Sequence, residues 1–184
     1  PPPPPTPTHE WTRRQRQMCI RDRFQPDIIG ELWNAGLFQW IIVEADGAAG
    51  KPLKAPAAHE PVIPACTQRL VAMVGLNGVG QPLTERLVFR HAHFARLTGL
   101  RLGSSVTASA IADVLVRNEG LFKGFCPEAR RIAFFNQADV GENFSTGQRV
   151  ARILSWRNNT GLTRVVIGQI LFDPPVLEVY NLDP

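Results

Sequence analysis

Two short runs in this 184-residue sequence carry residue types suited to a charged ligand. The first is Glu44-Ala45-Asp46-Gly47, a pair of carboxylates closing the apolar run Phe38–Val43. An Asp in such a place can hold Mg²⁺, directly or through water, beside phosphates. An acid followed by Gly suits a turn or a helix cap equally well. The second is Asn136-Gln137-Ala138-Asp139, closing the apolar run Ile132–Phe135. There a carboxylate can accept two hydrogen bonds from a base edge while the Asn braces the loop, and unmatched donors then discriminate between bases. A plain turn built on Asn and Asp is the alternative.

The first run resembles a Walker B arrangement, and the second resembles the N-K-x-D guanine-recognition motif with Gln137 in place of the Lys. The stem of Gln137 could still cover a base ring. Lys51, Lys54, His59 and Glu60 follow the first run closely enough to reach an anion or metal, although a solvated loop is the blander reading. Two glycine-rich stretches imitate phosphate loops without meeting their requirements. Gly47–Pro52 lacks the first Gly of G-x-x-x-x-G-K-[ST] and has Pro for the hydroxyl residue. Gly75–Pro82 has Gln for the Lys and again Pro. Proline removes an N–H that a phosphate needs, so turns are expected at both. His91 and His93 lie two apart on a helical stretch and point about 200° from one another, poor geometry for one metal. Cys66 and Cys126 lack zinc-ligand spacing.

These residues need elements to hold them. Asp27–Gly36 has helical apolar spacing and a Gly at the C-cap position. Phe38–Glu44 is β-branched and aromatic on both faces, as a central parallel strand is. The prolines at 52, 56, 61 and 64 exclude regular pairing and predict a surface loop. Further strands are expected at Leu70–Leu76, Arg131–Phe135 and Arg164–Ile170. A largely helical stretch is expected over Thr84–Glu119, broken near Gly99–Ser105 with Ser104 or Ser105 as a cap, and a helix over Gln148–Trp156. Strands alternating with helices predict a three-layer α/β fold with a mostly parallel, doubly wound sheet. Ligands of such sheets bind beyond the carboxyl ends of the strands, where both runs fall.

Composition narrows the function classes. The net charge is +4, but Arg13, Arg14, Arg16, Arg21 and Arg23 all precede Phe24. Without residues 1–23 the chain has 15 basic and 14 acidic residues, so nucleic acid is not an expected partner. Residues 1–23 have no helical or strand periodicity, and Arg13–Asp22 resembles the in-frame translation of a transposase-type sequencing adapter. They are set aside, leaving 24–184 as the C-terminal portion of a nucleotide-binding domain. Three Cys without disulfide spacing point to a cytoplasmic protein, and no apolar run approaches the roughly 18 residues of a membrane span.

Val43–Pro56, continuing through His59-Glu60-Pro61-Val62-Ile63-Pro64, together with Gly80-Gln81-Pro82-Leu83 and Phe135–Asp139, resembles the selenium-dependent hydroxylase accessory protein family, YqeC. The resemblance implies a P-loop-like, NTP-hydrolysing protein that assists maturation of a selenium-dependent molybdenum hydroxylase. It implies Asp46 at a Mg²⁺–nucleotide site with Glu44 close by, and Asn136 and Asp139 at the base of GTP or ATP. Lys51, Lys54, His59 and Glu60 match the family's signature stretch. The family's phosphate loop lies upstream, where this chain has its adapter-like segment, so the chain by itself is expected to bind Mg–GTP or Mg–ATP weakly or not at all. The rival expectation is a non-enzymatic adaptor or cofactor-delivery module working through the Lys51–Pro64 loop.

Overall fold

The structure, a computed structural model, describes residues 26–157 and 160–182, so the adapter-like segment lies outside the described residues. The chain divides into the units Pro1–Ile41 and Ile42–Pro184. The described part of the first holds helix α1 (Pro26–Asn34), with Asp27 in its first turn. Pro26 starts it where a missing N–H costs nothing, and Gly36 closes it with a positive φ of 65°, as the spacing predicts.

In the second unit, β1 (Leu53–Lys54) pairs in parallel with β3 (Val88–Phe89), so the prolines do not exclude regular pairing as expected: the residues between Pro52 and Pro56 keep their N–H groups, and Ala55 N donates to Phe89 O. The main sheet has the order β2 (Arg69–Gly75), β4 (Arg130–Asn136), β5 (Arg164–Gly168), β6 (Val176–Asn181). Its first three strands are parallel and β6 is antiparallel. Helices α2 (His91–Thr98), α3 (Ala108–Val116) and α4 (Asn143–Trp156) complete the α/β fold. Strand order advances in one direction, so the reversal that defines a doubly wound sheet does not occur among the described residues.

The helices bury one apolar side each. Phe94 and Leu97 of α2, Ile111, Val114 and Leu115 of α3, and Val150 and Leu154 of α4 share a core with Ala72, Val74, Ala133, Phe135, Val165 and Ile167 from one sheet face. Alternation puts Val71, Met73, Phe134, Val166 and Val179 on the opposite face, where Val71 and Met73 are each 47% exposed. Within this unit one helical layer is described where three-layer architecture requires two. The N-cap of α3 is Thr107, which accepts a hydrogen bond from Ala110 N at 3.1 Å, rather than Ser104 or Ser105. Those two serines instead donate to the carbonyls of Arg101 and Gly80 in the preceding turns.

The expected strand Phe38–Glu44 does not form. β-Branched and aromatic composition expresses how well a side chain suits a pleated surface, and a strand also needs a neighbour to take its backbone groups. No strand pairs with this run among the described residues, and Trp40 and Ile42 are 69% and 93% exposed. Thr84–Arg90 is not helical either. It forms a turn and β3, and Arg90 adopts left-handed backbone (φ 59°) at the start of α2.

Candidate functional site

Because the run before it is not a strand, Asp46 sits in a loop leading to β1, and Glu44 is exposed. The turn that follows, with Ala49 and Gly50 at positive φ and Lys51 N donating to Ala48 O, brings the chain back to β1. The glycines of 47–50 thus serve a turn, as the prolines predict, and Gly75–Pro82 begins with a short 3-10 turn over Leu76–Gly78.

The proline-rich segment is not a solvated loop. Lys54, 8% exposed, donates to Gly47 O at 2.9 Å and lies 2.6 Å from Asp46 Oδ2 and 3.7 Å from Glu60 Oε2. Glu60 is buried and held in a fork by Arg90, whose Nη1 and Nη2 reach its two oxygens at 2.6 and 2.9 Å. The Arg90 hydrogen bond is the main reason the Glu60 carboxyl is held down at about 2, against the opposing effect of burial. Arg90 is raised in turn by the same bond. The Arg90 guanidinium stacks 4.4 Å from the Phe89 ring centroid, and Lys51 Nζ lies 5.8 Å from the same centroid while donating to Glu85 O. His59 points outward, with Nε2 3.6 Å from Glu60 Oε1. Four charges of alternating sign therefore bind Asp46, β1, the Glu60 turn and the start of α2 to one another.

Arg90 was beyond the reach of sequence reasoning, since its partner lies thirty residues away and an Arg before a helix has no distinctive pattern. The parallel pairing of Lys54 with Phe89 is what brings it to the site.

Asn136–Asp139 does stand at the carboxyl end of a strand. Asn136 closes β4, and its Oδ1 accepts from Ile170 N at 3.0 Å, bracing the loop after β5. Ala138 N donates to Gly168 O at 3.1 Å, and Asp139 is exposed. Asn143 at the start of α4 ties this loop to the next, its Nδ2 donating to Gln137 O at 2.8 Å and to Asn77 Oδ1 at 2.7 Å. Gln137 does not extend outward to cover a base ring. It has a positive φ of 69° and its Oε1 is buried without a hydrogen-bond partner among the described residues. That oxygen is turned toward Gly75, where an added Cβ would lie 2.8 Å from it and 2.7 Å from Pro52 Cβ. Gly75 N also donates to Pro52 O at 2.9 Å. The proline-rich segment that follows the first run and the Asn136–Asp139 loop thus meet at Gly75, with Pro52 on one side and Gln137 on the other.

Among the described residues no group of three or more His, Cys, Asp or Glu could hold a metal ion. Asp46 offers one carboxylate, which suits Mg²⁺ carried largely by phosphates and water and does not suit a cage made of protein alone. No helix among the described residues is long and apolar enough to cross a membrane.

A family model described as YqeC protein matches residues 7–92. The chain is also 32% identical over 135 residues to a protein of Escherichia coli (strain K12) named "Uncharacterized protein YqeC", over 73% of this chain and 52% of that one. The chain belongs to the YqeC family. It spans about half the length of this curated YqeC relative. The YqeC family match takes in Glu44, Asp46, Lys51, Lys54, His59, Glu60 and Arg90, and it begins within the segment set aside as adapter-like. Asn136 and Asp139 lie outside it. No solved structure gives a significant match.

Proposed function

We propose that this protein is a cytoplasmic, P-loop-like nucleotide-binding accessory factor in the maturation of a selenium-dependent molybdenum hydroxylase, and that it hydrolyses the nucleotide in a family-length chain. Asp46 is the Mg²⁺-facing carboxylate, with Glu44 near it, Lys51 and Lys54 supply cationic groups, and Asn136 and Asp139 face the base of GTP or ATP. One observation carries the reading. Gly75 N is bonded to Pro52 O while Gln137 packs against the same glycine, so the signature loop and the Asn136–Asp139 loop adjoin at the carboxyl ends of β2 and β4. Ligands of parallel sheets bind at such ends.

The test is a calorimetric titration of Mg–GTP and Mg–ATP into a family-length polypeptide carrying this chain. Asp46→Asn is expected to weaken binding at least tenfold and Asp139→Asn to erase any preference for guanine over adenine. Absence of saturable binding, or equal binding by the parent and Asp46→Asn, refutes the nucleotide reading.

A second reading is favoured by the inward turn of the loop's charges. Lys54 and Glu60 are consumed internally, and what Lys51–Pro64 presents outward is Ala58, His59 and Val62, a surface suited to an adaptor. Loss of hydroxylase activation in alanine variants of Lys51 and His59, with nucleotide turnover intact, favours the adaptor.

A further inference from the structure

The core helices leave one face of the main sheet open, and strand register places its side chains in rows. Arg69 aligns with Arg130 at the amino ends of β2 and β4. The next row is Val71, Ile132, Arg164 and Asn181, and the one after it is Met73, Phe134, Val166 and Val179. The apolar members form a band bordered at its amino end by Arg69, Arg130 and Arg164, all exposed. The band crosses four strands at about 4.8 Å spacing, roughly 14 Å, a little more than the width of one helix. No Asp or Glu occupies this face of the four strands. Their one carboxylate, Glu178, lies on the helical side, where Gln148 Nε2 donates to it at 2.8 Å. Arg164 Nε has a neutral partner, Asn181 Oδ1 at 3.0 Å, and among the described residues neither Arg164 nor Arg130 is in an ion pair.

An apolar band with a cationic border at one end suits an amphipathic helix laid along the strands with its C-terminus at the arginines, since that end of a helix is negative. Connectivity favours the same direction. A helix joining two parallel strands runs back against them, so its C-terminus arrives at their amino ends. Crossovers advancing from β2 through β4 to β5 keep their helices on the core side, and right-handedness puts a helix on the other face when the chain crosses the opposite way, toward a strand beyond β2. Among the described residues that edge of β2 is unpaired. A second copy is a poorer occupant, because it brings the same arginines and no carboxylate. A family-length chain has the material to supply the helix, since the match takes in 52% of the curated relative. We propose that in a family-length YqeC chain the open face is covered by a helix of the same polypeptide, drawn from the part outside this chain, with its C-terminal turn against Arg130 and Arg164. This holds whether or not Asp46 faces Mg²⁺.

Met73 is a natural reporter in the middle of the band. Hydrogen peroxide converts an accessible methionine to its sulfoxide, which is read peptide by peptide by mass spectrometry. In the native family-length polypeptide Met73 is expected to oxidise at least about tenfold more slowly than in the same polypeptide unfolded in urea. An open face, with Met73 47% exposed, protects it only about twofold, so protection below about fivefold overturns the proposal without any variant. Protection that falls away on about tenfold dilution means that a second copy covers the face, and overturns it too. The arginine border is read with Arg130→Glu, which is expected to raise the native Met73 rate at least about threefold, while Arg130→Lys keeps the parent rate. Arg101→Glu, at an exposed position between α2 and α3, is expected to leave the rate unchanged. Equal rates in the parent and Arg130→Glu, or an equal rise in Arg101→Glu, refute a helix oriented by its C-terminus.

Discussion

The Glu60–Arg90 fork makes acid sensitivity a quantitative matter. The Glu60 carboxyl falls from an ordinary 4.5 to about 2 in the folded chain, chiefly through its hydrogen bonds to Arg90. A depressed folded value stabilises the fold fully above the unfolded value and ceases to do so as pH falls through the folded one. A gap of about 2.5 units corresponds to about 3 kcal/mol at neutral pH, of which about 2 kcal/mol is lost between pH 7 and pH 3 and the remainder below that. The carboxylate is 10% exposed, so solvent screening removes little of this. Glu60→Gln keeps the shape and abolishes the titration. Urea unfolding followed by fluorescence at half-unit steps from pH 7 to pH 3 is expected to show the variant about 3 kcal/mol less stable at pH 7. Its curve should approach that of the parent as acid is added, with the difference shrinking below about pH 4.5. Other carboxylates contribute equally to both curves and cancel in the difference. A difference that stays constant over pH 7 to pH 3 refutes the argument, because the fork would then contribute by shape and not by charge.

Two smaller changes probe the elements that bring the site together. Gly75→Ala would place a Cβ 2.7 Å from Pro52 Cβ and 2.9 Å from Pro52 Cα, a backbone atom that cannot swing away, and is expected to cost about 1–3 kcal/mol in urea unfolding. Unchanged stability would mean that Pro52 does not lie against Gly75. Thr107→Ala removes the cap of α3 at Ala110 N and is expected to lower stability by about 1 kcal/mol, read as a drop in melting temperature. Thr107→Ser should restore most of it.

What could be read in the sequence was whatever depends on a short stretch of chain. The apolar runs at Leu70–Leu76, Arg131–Phe135 and Arg164–Ile170 are strands to within a residue or two because each is buried on one face by neighbours of its own kind. The last helix was legible too, although its first turn, Asn143–Gly147, is too polar and glycine-rich to advertise itself. Phe38–Glu44 failed for the opposite reason: its composition describes a surface that wants covering, while pairing depends on what lies alongside. β6 escaped notice because Val176–Asn181 is largely exposed and carries no strong alternation. At the site, carboxylates and lysines could be named individually. Their arrangement could not, since Asp46, Lys54, Glu60 and Arg90 are assembled by a two-residue strand pair and a left-handed residue, features without a sequence signature.

The order of the main sheet has a consequence for how the molecule comes into being. β2 must wait for β4, its parallel neighbour, while about 60 residues are made, since Arg69 aligns with Arg130. At ordinary synthesis rates of about 5–20 residues per second, that interval lasts roughly 3–12 s. Throughout it Val71, Met73 and Val74 have no strand to lie against, and the loop bearing Pro52 has no Gln137 to close upon. Only β5 and β6 are near neighbours in the chain, so the sheet's long parallel contacts carry the entropic cost of large loops, and the edge at β2 remains an unpaired apolar template for the longest time. The contacts around Gly75 therefore cannot close until Gln137 has been made, long after β1 and β2 have left the ribosome and before β5 and β6 exist.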